Sequence, residues 1–125
     1  MFRLSRMAVG QTPPIEYKEV TSGESVALGE ALVLSSGKLT KCGATVKPTF
    51  IAVGPDCDGI APVVRVQSYM TFETILAAAG TSLVPGNTVT LHTDGLSVTA
   101  TTASGVATIM CMDGTAVGNT VQVRF

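Results

Sequence analysis

The stretch Gly86-Asn87-Thr88-Val89-Thr90-Leu91-His92-Thr93-Asp94-Gly95-Leu96-Ser97-Val98-Thr99 decides how the rest of the chain is read. Val89 and Leu91 alternate with Thr88 and Thr90, and Leu96 and Val98 alternate with Ser97 and Thr99. Period-two alternation of apolar and hydroxyl residues predicts strands with one dry and one wet face. Between the two runs lies Thr93-Asp94-Gly95, and Asp-Gly accepts the positive φ of a tight hairpin turn. The stretch reads as a β-hairpin.

The same grammar recurs on either side. Gly29-Glu30-Ala31-Leu32-Val33-Leu34-Ser35-Ser36-Gly37-Lys38-Leu39-Thr40 has an opening glycine, aliphatics, a Gly-containing turn and a return strand. Gly118-Asn119-Thr120-Val121-Gln122-Val123 opens the same way near the end. The units are too few and too unevenly spaced for a solenoid, so they belong to one β domain. Ile15 to Val20, Thr49 to Val53, Ala61 to Gln67, Gly105 to Met112 and Thr120 to Phe125 read as further strands. Phe125, at the end of the last, is expected to pack. Thr71 to Gly80 is the one helix candidate, with capping residues at both ends. Phe72, Thr74 and Leu76 also fit a strand, and a strand to about Leu76 followed by a loop is the reading adopted here.

Composition agrees. A chain of 125 residues is the size of one domain and can bury a core without staples. Its thirteen glycines and many Val and Thr favour strands and turns. Charged residues make up 14%, below the usual quarter of a soluble domain. Such a surface is either covered by another copy or another protein, or is simply rich in neutral hydroxyls. A net charge of −1 argues against nucleic acid as partner. No apolar run approaches the ~20 residues of a membrane-spanning helix, and the first residues lack the apolar core of a secretory signal. Cys42, Cys57 and Cys111 are odd in number and show no C-x-x-C spacing. That argues against a disulfide framework and a zinc site, and for a reducing cytosol as the place of synthesis. Cys111, within Ala107-Thr108-Ile109-Met110-Cys111-Met112, is expected to behave as a small core hydrophobe.

Residues 1–14 carry no evident period. Met1-Phe2-Arg3-Leu4-Ser5-Arg6-Met7 mixes apolar and basic groups, Gly10 frees the backbone, and Pro13-Pro14 stiffens it. Such a segment is either a frayed tail or an arm that orders on a partner. In the second case Phe2, Leu4 and Met7 are apolar plugs, and Arg3 and Arg6 meet acidic groups.

The chain offers little chemistry. His92 is the single histidine and falls among threonines, as a solvent-facing strand residue would. No G-x-S-x-G elbow or Walker spacing occurs. Glu16, Glu19, Glu24, Glu30 and Glu73 are scattered, and nothing marks two of them as a glycosidase pair. Asp56-Cys57-Asp58-Gly59 matches part of a calcium loop without the remaining ligands, so it reads as a plain turn. The expectation is a non-enzyme with no cofactor and no metal.

With this grammar in place, the chain resembles the head-decoration (cement) proteins of tailed bacteriophages. The likeness rests on Pro14-Ile15-Glu16-Tyr17, residues 29–39 as quoted above, Phe50-Ile51-Ala52-Val53-Gly54, Pro85-Gly86-Asn87-Thr88-Val89, Asp94-Gly95-Leu96 and residues 118–123. It implies a β-rich domain made in the host cytoplasm and resident on the exterior of the virion. Its partner would be the major capsid protein of an expanded head, often with three copies grouped as a homotrimer. It also implies an N-terminal arm that extends a sheet on the capsid protein.

The expectation is therefore an all-β fold, a small sandwich or barrel of about eight or nine short strands, with residues 1–14 as an extended N-terminal arm and 15–125 as one β domain. Phe2, Arg3, Leu4, Arg6 and Met7 are the candidate capsid-binding residues. The competing reading is a glycan-binding β module of a phage fibre or surface protein, which needs exposed aromatic platforms; Tyr17 and Tyr69 are its candidates.

Overall fold

The computed structural model describes residues 1–7 and 12–125. Its described residues form ten strands and no helix: β1 (Arg3–Met7), β2 (Ile15–Glu19), β3 (Ala31–Ser35), β4 (Lys38–Lys41), β5 (Phe50–Ala52), β6 (Ile60–Arg65), β7 (Met70–Ile75), β8 (Thr88–Val89), β9 (Ala107–Met112) and β10 (Thr120–Arg124). They make two antiparallel five-stranded sheets, a small β-sandwich. Sheet one has the order β1-β7-β10-β9-β8, and sheet two the order β2-β6-β5-β3-β4.

Period two explains how the faces sort. In sheet two Ala31, Ile51 and Val64 lie in register and point at sheet one, while Leu32, Phe50 and Val63 point the other way. Both sets are buried, so this sheet is apolar on both faces. The second face is buried because the sheet curls on itself. A parallel bridge, Val20↔Leu39, joins the ends of its two outer strands, and Thr21 N–H donates to Leu39 O at 2.8 Å. Lys38 and Glu19 pair across this seam at 3.6 Å. The curl encloses a second apolar core of Val20, Val26, Leu32, Leu39, Phe50, Ala52, Ala61 and Val63. The main core lies between the sheets and includes Phe72, Leu76, Leu91, Val98, Ile109, Val121 and Val123.

Two tight hairpins need positive φ at both central residues. Ser36-Gly37 has φ 50° and 79°, and Asp58-Gly59 has 51° and 75°. Both fit the twist of the strands they join. The Asp56 to Gly59 segment is thus the plain turn expected from its sequence.

The stretch around Asp94-Gly95 does fold back on itself. Leu91 bridges Val98, His92 N–H donates to Ser97 O at 2.9 Å, and Gly95 N–H to His92 O at 3.0 Å. Its wet face is not wet, however. Thr90 and Ser97 are 6% and 4% exposed. The hairpin is driven between the sheets, where Gly95 O accepts Ala31 N–H from sheet two and Leu96 O accepts the Thr74 hydroxyl from sheet one. Thr90 and Thr99 satisfy each other at 2.7 Å, so these hydroxyls are buried with partners.

The largest departure from the sequence reading is at the start of the chain. Residues 3–7 are a strand of the body, paired with β7. Phe2 is 2% exposed and packs edge-on against Phe125, the ring centroids 5.6 Å apart. Gly29, at φ +77°, lets this segment approach; a Cβ there would lie 2.9 Å from Phe2 O. The boundary expected at residue 14 therefore does not separate an arm from a domain. Gly10 lies outside the described residues. Cys111 is the second correction. The register shifts so that Gln122 faces Cys111 and Val123 faces Ile109, leaving Met110 as an extra residue. This bulge turns Met110 and Cys111 outward, and both are exposed.

Candidate docking surface

Sheet two is wider than the cover that sheet one provides. Ile15, Tyr17 and Glu19 of β2 lie on the same face as Ile60, Pro62 and Val64 of β6, by direct pairing. Val64 is buried under sheet one, but Tyr17 is 73% exposed, Ile15 53% and Ile60 45%. Val53 and Leu28 border the same strip and are exposed as well. An apolar groove of about 410 Å³ opens beside it, between β1 on one side and β2, β5 and β6 on the other. Phe2, Leu4, Pro13, Ile51 and Phe72 contribute to its walls. Exposed apolar surface of this kind is costly to leave wetted.

The groove runs beside a strand edge. One side of β1 is taken by β7; on the other, Phe2 N–H donates to Gly29 O at 2.8 Å. β1 is thus an outermost strand of sheet one. An edge strand next to an apolar groove is the geometry that accepts an added strand, with backbone bonds for affinity and pockets for specificity.

The five residues singled out in the sequence are divided by this arrangement. Phe2 is in the main core, and Leu4 and Met7 pack against it, half-buried. Arg3 and Arg6 are exposed on the outer face. Arg3 pairs with Glu73, directly across in β7. The apolar three serve the protein's own interior, and only the basic two are presented to solvent.

The polar groups near the strip are structural. Arg65 donates two hydrogen bonds to Glu16, at 3.2 and 3.1 Å, and its guanidinium lies 4.8 Å above the Phe50 ring. Lys18 sits over the same ring at 5.4 Å. Together they close the second core with a charged lid, their stems dry and their heads wet. The Arg65 hydrogen bonds hold the Glu16 carboxyl below the ordinary carboxylate range. Glu30, read from sequence as one of several scattered carboxylates, is 3% exposed. It accepts Ala27 N–H at 2.8 Å and has Lys41 at 3.7 Å. Nothing in its sequence context marked it as buried.

His92 and Asp94 are the nearest approach to a reactive pair, Nδ1 to Oδ2 at 3.1 Å. They share one turn and are 43% and 45% exposed, not gathered in a cleft. Partial burial opposes the Asp94 charge, but Leu96 N–H and His92 outweigh it and hold the carboxyl below its ordinary range. Among the described residues no group of three or more His, Cys, Asp or Glu is placed to hold a metal ion. The described cysteines are all free: Cys42 buried, Cys57 and Cys111 exposed. Of the two tyrosines, Tyr69 packs against the main core, which leaves Tyr17 alone as an exposed ring. No helix among the described residues is long and apolar enough to cross a membrane. No protein-family model, curated protein or solved structure matches the chain.

Proposed function

We propose that this protein is a structural component of a bacteriophage virion, which binds the outer surface of the capsid and stabilises the expanded head. The observation that carries the reading is the uncovered apolar strip and groove beside β1, on a body whose buried polar side chains are all satisfied among the described residues. A protein that works by fitting against neighbours needs a stiff fold, an exposed edge and an apolar face, and no reactive centre. The major capsid protein is the partner, and copies of the chain assemble around it as a homotrimer. Contact runs through Tyr17, Ile15, Leu28 and Val53, with Arg3 and Arg6 meeting carboxylates. Phe2, Leu4 and Met7 support the edge from within. The glycan-binding reading loses its support, because two aromatic platforms on one face are not presented.

The test is co-sedimentation with expanded shells that lack decoration. The wild-type chain is expected to pellet with the shells and to raise their melting temperature. Tyr17→Asp is expected to weaken binding by about tenfold or more, as loss of a central aromatic contact does. Its own stability should change by less than about 0.5 kcal/mol, since the ring is exposed. A wild-type chain that stays in the supernatant overturns the proposal.

A further inference from the structure

The chain contains three Asp-Gly pairs: Asp58-Gly59, Asp94-Gly95 and Asp113-Gly114. A glycine after aspartate leaves the next amide nitrogen unshielded by a Cβ, so the carboxyl carbon can reach it and close a succinimide ring. Ring closure makes two demands on a fold. The carboxyl and the glycine N–H must be free of other partners, and the Asp–Gly link must turn without breaking structure.

Two of the pairs fail these demands. In the hairpin driven between the sheets, Asp94 Oδ1 accepts Leu96 N–H at 2.8 Å and Oδ2 faces His92 Nδ1 at 3.1 Å. Gly95 N–H is given to His92 O, and Gly95 O accepts Ala31 N–H of sheet two. Both reacting groups are engaged. Asp58 and Gly59 are exposed, but they are the central residues of a tight turn with positive φ. Cys57 and Ile60 exchange hydrogen bonds of 2.9 and 3.1 Å on its flanks, and Gly59 O accepts Val20 N–H at 2.8 Å. Turning this link would open the hairpin and release Val20.

Asp113-Gly114 meets both demands. It lies just past β9, at the start of the connection to β10, and Asp113 is exposed. Asp113 N–H donates to Thr120 O at 3.0 Å, which fixes the residue from its N-terminal side. Among the described residues neither the Asp113 carboxyl nor Gly114 N–H has a hydrogen-bond partner. The fold also requires the glycine, since a Cβ at Gly114 would lie 2.6 Å from Asn119 Nδ2. We infer that Asp113-Gly114 is a site of spontaneous covalent change, at which the folded chain converts to isoaspartate. Gly114 N attacks Asp113 Cγ; the new C–N bond forms, and the carboxyl OH leaves with the amide proton as water. Water then adds to either ring carbonyl. Opening at Cγ restores aspartate, whereas opening at the backbone carbonyl routes the main chain through Cβ, one methylene longer. The reaction needs only the chain and water. The added atom falls beside two anchors of this connection, Gly80 N–H to Thr115 O and Gly118 N–H to Leu76 O, and strains them.

The test is prolonged incubation of the folded chain in neutral buffer made with heavy-oxygen water. Each ring opening leaves a heavy oxygen in the reopened residue. Electron-transfer fragmentation of the peptides locates the label and distinguishes isoaspartate from aspartate. Both are expected at Asp113, at a level about tenfold or more above Asp58 and Asp94, which react only from locally opened states. In urea that unfolds the chain, the three sites should label alike. Asp113→Glu keeps the charge and the exposure and should carry no label there, since its larger ring closes far more slowly. A folded chain whose Asp113 stays unlabelled overturns the inference, and so does one in which Asp58 or Asp94 labels as fast. Asp113 ahead by the same factor in urea overturns it too, because the fold would then play no part.

Discussion

The two apolar cores differ in how they are assembled. The core inside the curl of sheet two is built by five strands between Ile15 and Arg65, with β3–β4 and β5–β6 joined as hairpins, and is closed by the Val20↔Leu39 bridge. The core between the sheets draws on the whole chain, from Phe2 to Val123. Yet they are not separate units. Within β3, β5 and β6 neighbouring residues serve opposite cores: Ala31 and Leu32, Ile51 and Phe50, Val64 and Val63. One backbone is the wall of both. The lesson is that local hairpin grammar builds an enclosure, but cooperativity comes from strands with two dry faces.

The comparison can be broken first where its effect is largest. Phe72→Ala in the main core and Phe50→Ala in the second should each cost about 3–5 kcal/mol in urea unfolding, since both rings are fully buried. Because the wall is shared, far-UV circular dichroism and tyrosine fluorescence should report one transition in both variants. Two separated transitions would show the cores to be independent.

Next is the carboxylate at the junction. Glu30 precedes β3, accepts Ala27 N–H and lies against Gly95 of the inserted hairpin. Glu30→Ala should cost about 1–3 kcal/mol by equilibrium denaturation, as an acceptor lost to a half-buried donor does. Glu30→Gln should recover part of it.

The smallest effect distinguishes the cores by pH. Cys42 belongs to the main core, where burial pushes its thiol up to about 11 from the usual 9.0. The folded state thus keeps a proton that the unfolded state loses above about pH 9. Stability should fall as pH rises from 9 towards 11. The fall should be shallower in Cys42→Ala. At neutral pH a thiol reagent should modify Cys57 and Cys111 quickly and Cys42 only on unfolding, as mass spectrometry of the peptides would show.

What was legible in the sequence follows from where period two is kept. The strands of sheet two and the Ser36-Gly37 turn could be read directly, because β2 alternates apolar and charged residues, and β3, β5 and β6 are short apolar runs bounded by Gly and Pro whose register is unbroken. Both failures in sheet one sit at bulges. In β1 the register steps from Leu4↔Phe72 to Arg6↔Thr71, so Ser5 is extra. Leu4 and Met7 then share a face three residues apart, and the pattern looks like no strand at all. Met110 does the same to β9 and places Cys111 outside. The groove was beyond reach for another reason: Phe2, Ile15, Val53 and Phe72 meet only once two sheets are stacked. Exposure of Tyr17 likewise depends on how far sheet one extends, which no local pattern encodes.

The order of strands in sheet one has a mechanical corollary. β1 and β10 flank β7, and both run antiparallel to it, so they run in the same direction as each other. Tension that draws the leading end of β1 and the trailing end of β10 apart therefore slides each ladder lengthwise. Every rung resists together, instead of opening one after another as in a zipper. A molecule gripped by neighbours at its first and last strands would yield late and all at once.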